Sequence, residues 1–224
     1  MSNRLPDCIV FDLDGTILHS LPGIECSIRA AFARCGLPYR ELDLRTLIGP
    51  PISTILSIVG DLHDQRKLNS LVQAFRLSYD SEGWQKTELF PDVQQVLEAL
   101  SEAGHRLFVV SNKPRKISIR ILERFRIRGL FETILTPDSR SPRYSGKAQM
   151  LRALAKEHQI DLHEVLMVGD TMEDARSSAE AGVAFAFAAH GYGEMHAGAE
   201  LPVLLRFDGF AEFLPLIARE LIHD

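Results

Sequence analysis

Apolar residues recur along this chain with two different periods, and the period changes by region. Short, mostly apolar runs at Cys8 to Phe11, Leu107 to Val110, Thr133 to Thr136, Val165 to Val168 and Val183 to Phe187 have the length of strands buried on both faces. From residue 90 onward the stretches between them show helical spacing. Val93, Val96, Leu97 and Leu100 share one face between Pro91, tolerated in a first helical turn, and the stop residue Gly104. Further helices are predicted near Pro114 to Phe125, Lys147 to His158 and Thr171 to Ala181. Apolar strands alternating with helices predict βαβ units and a parallel sheet covered on both faces.

Residues 17 to 89 read differently. Ile24, Ile28, Ala31 and Phe32 fall at helical spacing after Leu21-Pro22-Gly23 and end at Gly36. A short helix near Leu42 to Ile48, another from Ile52 to Val59 after Gly49-Pro50-Pro51, and a longer one from about His63 to Asp80 follow, with no convincing strand. The expected fold is therefore α/β: a Rossmann-like parallel sheet core from residues 1–16 and 90–224, interrupted by an all-helical insert over 17–89.

Composition narrows the class of partner. Hydrophobic residues at 46% and charged residues at 25% of 224 positions describe a soluble globular chain. A formal charge of -5 argues against a broad basic field for nucleic acid or membrane surfaces, so an anionic ligand must be held by local cations. The stretch Lys113 to Arg128 has seven basic residues and one acid, but Ile117, Ile121, Leu122 and Phe125 form an apolar stripe that makes it a solvated helix face. Cys8, Cys26 and Cys35 lack metal-ligand spacing and are expected as free thiols. No apolar run reaches membrane-span length, and a cytoplasmic location is expected.

The chemistry gathers at strand ends. Parallel strands place their carboxyl edges on one side of the sheet. Asp12 and Asp14, Ser111-Asn112, and Asp170 all follow predicted strands, and Lys147 opens a helix. An aspartate pair in unlike environments can divide the work of nucleophile and acid. Asp12 and Asp170 offer hard oxygen ligands for Mg²⁺, with Asp174 one turn further on to orient them. The Ser111 hydroxyl and backbone N–H groups near Leu13 and Asn112 are suited to phosphate oxygens, and the Lys147 ammonium neutralises their charge.

Phe11-Asp12-Leu13-Asp14-Gly15-Thr16, Ser111-Asn112-Lys113, Lys147, and Val168-Gly169-Asp170 with Asp174 resemble, in order, the four motifs of the haloacid dehalogenase superfamily. Ile48-Gly49-Pro50-Pro51 and Leu89-Phe90-Pro91 are similar to its phosphoglycolate phosphatase-like branch, and the helical insert resembles that branch's small cap domain. The resemblance implies a Mg²⁺-dependent phosphatase of small phosphomonoesters. In it Asp12 attacks phosphorus to form an aspartyl-phosphate, Asp14 protonates the leaving alcohol, Lys147 completes the catalytic set, and the backbone carbonyl of Asp14 joins Asp12, Asp170 and Asp174 at the metal. Gly49 and Pro50 belong to a cap loop near the leaving group, and Lys113 lies between that group and the phosphate.

Asp14 favours a phosphatase over a dehalogenase, because halide leaves without a proton. A phosphosugar mutase, a 5′-nucleotidase, a pyrophosphatase and a catalytically silent binding protein remain as alternatives, as monomer or homodimer. Two departures stand out: His19 occupies a position where the branch commonly has an acid, and the loop before Lys147 lacks the usual proline after the lysine. Gly191-Tyr192-Gly193 is expected at the mouth of the site or as a turn.

Overall fold

The structure, a computed structural model, describes residues 6–194 and 201–220. In chain order, β1 (Cys8–Phe11) and β2 (Leu18–His19) precede α1 (Leu21–Cys35), α2 (Ile52–Gly60), α3 (Gln65–Ser81) and β3 (Glu88–Leu89). Then α4 (Val93–Glu102), β4 (Arg106–Val110), α5 (Arg115–Arg124), β5 (Thr133–Leu135) and α6 (Lys147–His158) alternate. The series closes with β6 (Val165–Gly169), α7 (Met172–Ala181), β7 (Ala184–Ala188), β8 (Leu205–Phe207) and α8 (Phe210–Glu220).

Six strands form one parallel sheet in the order β5-β4-β1-β6-β7-β8. The period-two alternation explains why helices cover both faces. Ile9 and Phe11 of β1 join one apolar cluster with Val109 and Val168, while Cys8 and Val10 join the other with Phe108 and Met167. The strand order reverses at β1, which pairs with β4 on one side and β6 on the other. The crevice beyond the carboxyl ends at such a reversal is where open α/β sheets bind ligands.

The insert is helical, with two corrections. Leu18–His19 and Glu88–Leu89 pair antiparallel as β2 and β3, although no strand was expected between residues 17 and 89. A two-residue strand carries no readable period; its partner lies 70 residues away, and only tertiary pairing creates it. The helix expected at Leu42 to Ile48 shrinks to a 3₁₀ turn at Leu44–Leu47, capped by the Asp43 side chain accepting from the Arg45 N–H. α1 ends as expected: Gly36 is left-handed at φ 62°, and its N–H turns back to the Ala33 and Phe32 carbonyls.

β8 and α8 lie beyond the last predicted element. They complete the core, since the rings of Phe210 and Phe213 stand 6.4 and 6.2 Å from that of Phe11. Part of the basic stretch is engaged by the protein itself. Arg120 stacks over the Trp84 ring at 4.3 Å, and Arg124 donates to the carbonyls of Gln85 and Thr87, tying α5 to the chain returning from the insert. The three cysteines are free thiols. Among the described residues no helix is long and apolar enough to cross a membrane.

Candidate active site

β1 continues its ladder one residue past the strand, with the Asp12 N–H donating to the Val168 carbonyl at 2.9 Å, and then folds sharply. The Leu13 carbonyl accepts from the N–H groups of Thr16, Ile17 and Leu18, a turn that lets Asp12 and Asp14 face the same cavity. Gly15 makes this possible. Its φ is +87°, and an added Cβ would lie 2.1 Å from Asp170 Oδ2. Gly15→Ala is expected to cost roughly 2–4 kcal/mol, combining left-handed backbone strain with overpacking. Urea denaturation checks this, and a midpoint equal to wild type counts against it.

Lys147 opens α6 from the neighbouring edge and is buried at 1% exposure. Its Nζ lies 2.9 Å from Asp12 Oδ1, an ion contact without hydrogen-bond alignment, and donates to Asp174 Oδ1 at 2.5 Å. Burial opposes its charge, but Asp12 and Asp174 outweigh that and hold the ammonium above the usual lysine range. Asp174 reaches this position through a helix cap. The Thr171 N–H and hydroxyl both donate to Asp174 Oδ2, while the Asp174 N–H donates to the Thr171 hydroxyl, a capping box that starts α7 and aims the other carboxylate oxygen at Lys147.

Asp170, at the end of β6, is fully buried. It accepts from the Thr16 hydroxyl at 2.9 Å and from the Tyr192 N–H at 2.8 Å. Thr16, Thr171 and Tyr192 thus hold the carboxylates, and none was singled out from sequence for that task. Gly191-Tyr192-Gly193 packs directly on Asp170, since a Cβ on either glycine would strike that residue. The Tyr192 hydroxyl reaches His19 Nδ1 and the Leu21 N–H, both at 3.1 Å, which makes His19 part of the link between the core and α1.

Carboxylate oxygens of Asp12, Asp170 and Asp174 come within 4.8 Å of one another. Burial first, then the neighbouring acids against the opposing pull of Lys147, pushes Asp12 up to about 6. Burial, then Asp174 and Asp12, pushes Asp170 up to about 8. Fully ionised, these three buried carboxylates would outnumber the one ammonium beside them, and a hard divalent cation would favour that ionised form. An all-oxygen donor set, with Asp12 Oδ1 lacking an aligned donor, suits Mg²⁺. The carboxylate of Asp14 stands outside that group, because Lys113 Nζ holds its two oxygens at 2.8 and 3.1 Å.

Lys113 is also buried, and its ammonium donates to the Tyr79 hydroxyl of α3 at 2.8 Å. Burial works against its charge as well, yet Asp14 and Tyr79 hold it above the lysine range. Ser111 accepts from the Lys113 N–H at 3.3 Å. The Asn112 amide donates to the Gly49 carbonyl at 3.0 Å and to Glu173 at 2.9 Å, a tie between the insert and the sheet edge. A second tie runs from Arg45 to the Gly191 carbonyl at 2.6 Å. Gly49 and Pro50 line the same cavity, of about 210 Å³, as Asp12, Asp14, Ser111, Asn112 and Lys113. Leu13 is buried in the core behind it.

Residues 9–188 match the family described as haloacid dehalogenase-like hydrolase. The phosphoglycolate phosphatase of Vibrio vulnificus is 34% identical over 193 residues, covering 82% of this chain and 84% of that protein. The tyrosine-protein kinase PtkA of Mycobacterium tuberculosis is 33% identical over 189 residues; the match covers 84% of this chain and 64% of the kinase's length. A crystal structure of a predicted phosphoglycolate phosphatase from Haemophilus somnus superposes with a TM-score of 0.84 at 28% identity, covering 95% of this chain and 98% of that one.

Proposed function

Since the chain belongs to the haloacid dehalogenase-like hydrolases, we propose that it is a Mg²⁺-dependent phosphatase of small phosphomonoesters, working through an aspartyl-phosphate on Asp12. The observation that carries this reading is the meeting of Asp12, Asp14, Ser111 and Lys113 in one cavity, with Lys147, Asp170 and Asp174 buried behind it. The helices over 17–89 act as the cap that closes that cavity and keeps bulk water from it. The Vibrio enzyme to which the chain is similar is named a phosphoglycolate phosphatase, and the leaving group that this chain's own cavity takes is left open by that similarity.

Asp12, the Asp14 carbonyl, Asp170 and Asp174 would hold Mg²⁺, which supplies positive charge to the phosphoryl oxygens when bound. Asp12 attacks phosphorus, and the bond to the alkoxy oxygen breaks as Asp14 delivers a proton to it. Lys147 keeps Asp12 ionised for that attack and offsets charge on the transferring group. The Ser111 hydroxyl and the N–H groups of Leu13 and Asn112 orient the phosphoryl oxygens. Asp14, now a carboxylate, takes a proton from water, which attacks the aspartyl-phosphate and frees inorganic phosphate and Asp12. Lys113 holds Asp14 between these steps.

Phosphate release from phosphoglycolate, sugar phosphates, nucleotides, pyrophosphate and p-nitrophenyl phosphate, with Mg²⁺ and with chelator, tests the reading. Metal-dependent turnover is expected. Asp14→Asn is expected to lower kcat/KM on alkyl esters about 10²–10⁴-fold and to spare kcat/KM on p-nitrophenyl phosphate far more. That constant ends with the departure of a leaving group that needs no proton, whereas kcat falls on both because the water step uses Asp14 too. Equal losses of kcat/KM on both ester types would remove Asp14 from the acid role.

A further inference from the structure

The cavity has two unlike walls. Its floor carries Asp12, Asp14, Ser111, Asn112 and Lys113, whereas Ile48, Ile52, Ile55, Val72, Phe75 and the ring of Tyr79 line the opposite side. The polar groups on that side are few or engaged. The Tyr79 hydroxyl is taken by Lys113, and Lys113 by Asp14. Arg76, Asp80, Asp138 and Arg143 also line the cavity but are exposed, which leaves half-buried Ser53 as the one free hydroxyl beside these apolar groups among the described lining residues.

A phosphoryl group docked on the floor points its leaving alcohol at this apolar roof. We infer that the substrate class is phosphomonoesters of apolar alcohols, with a short alkyl or aromatic group packed under α2 and α3. The inference rests on the phosphatase reading and specifies the leaving group that reading leaves open. A polyol or a carboxylate placed there would exchange water for methyl groups and a stacked ring pair, Phe75 and Tyr79 at 5.4 Å. An apolar site rejects an analogue that adds a hydroxyl by about 10²-fold. Each methylene that it buries raises binding about fourfold.

The test is kcat/KM of the full chain with Mg²⁺ on methyl, ethyl, n-propyl and n-butyl phosphates, beside glycerol 3-phosphate and phosphoglycolate. All are esters of weakly acidic alcohols, so differences report the pocket rather than the leaving group. The expected result is a rise of about fourfold per methylene, with glycerol phosphate about 10²-fold below n-butyl phosphate. A flat series, or phosphoglycolate or glycerol phosphate above n-butyl phosphate, overturns the inference and leaves the phosphatase reading standing. No metal-dependent release from these or from p-nitrophenyl phosphate overturns both. Val72→Thr, close to isosteric, should narrow the ratio of n-butyl to glycerol phosphate, and an unchanged ratio counts against the roof as the selecting surface.

Discussion

Asp12→Asn is expected to lower metal-dependent phosphate release by about 10⁶-fold, the scale seen when a covalent nucleophile is removed. The substitution keeps the size of the side chain and the Asp12 N–H bond to the Val168 carbonyl. Lys147 keeps Asp174 as its hydrogen-bonded partner at 2.5 Å, so its ammonium is not left buried alone. One of three clustered acids becomes neutral, which relieves repulsion. The fold should therefore survive, and circular dichroism and a thermal midpoint at or above wild type would show that the loss is chemical. Residual turnover above about a tenth of wild type, with the fold intact, would remove Asp12 as the nucleophile.

The second large effect is thermal. Without a divalent ion, four carboxylates of the site face two ammoniums: Asp12, Asp14, Asp170 and Asp174 against Lys113 and Lys147. Binding Mg²⁺ to the folded chain alone adds about 2.7 kcal/mol at a hundredfold excess over Kd. For a chain of this size that raises Tm by about 5–10 °C. Asp170→Asn should lose this shift. The fold tolerates the change, because an amide oxygen can accept from the Tyr192 N–H while the amide nitrogen donates to the Thr16 hydroxyl. Differential scanning fluorimetry with Mg²⁺ and with chelator decides it. A full Mg²⁺ shift in the variant would place the metal elsewhere.

The site differs from the fold in how far it could be read. β1, β4 and β6 were legible because strands buried on both faces need unbroken apolar runs, and four to five such residues in a row leave little else to form. Asp12, Asp170 and Lys147 were legible by position, since parallel strands and the helices between them send their site ends to one edge whatever their separation in sequence. The β2–β3 pair was not, because two residues carry no period. β8 and α8 were not, because a three-residue strand and a helix containing Pro215 give weak local signals, and their place depends on the Phe11 surface they cover.

Tertiary structure decided what each charged group faces. Lys113 and Lys147 look alike in sequence, yet one holds Asp14 and Tyr79 and the other Asp12 and Asp174, 27 residues further along the chain from Lys147. Thr171 caps Asp174 locally, but Thr16 and Tyr192 became partners of Asp170 only when the turn after β1 and the loop after β7 closed on the end of β6. The apolar roof was likewise invisible, because helical period shows which residues of α2 and α3 share a face and not what that face covers. By itself the sequence determined which chemical groups the protein owns and the sheet edge to which they are sent, since both follow from local periodicity and strand direction. Their pairings, charge balance and the shape of the space above them depend on contacts between distant segments, and those exist only in the folded chain.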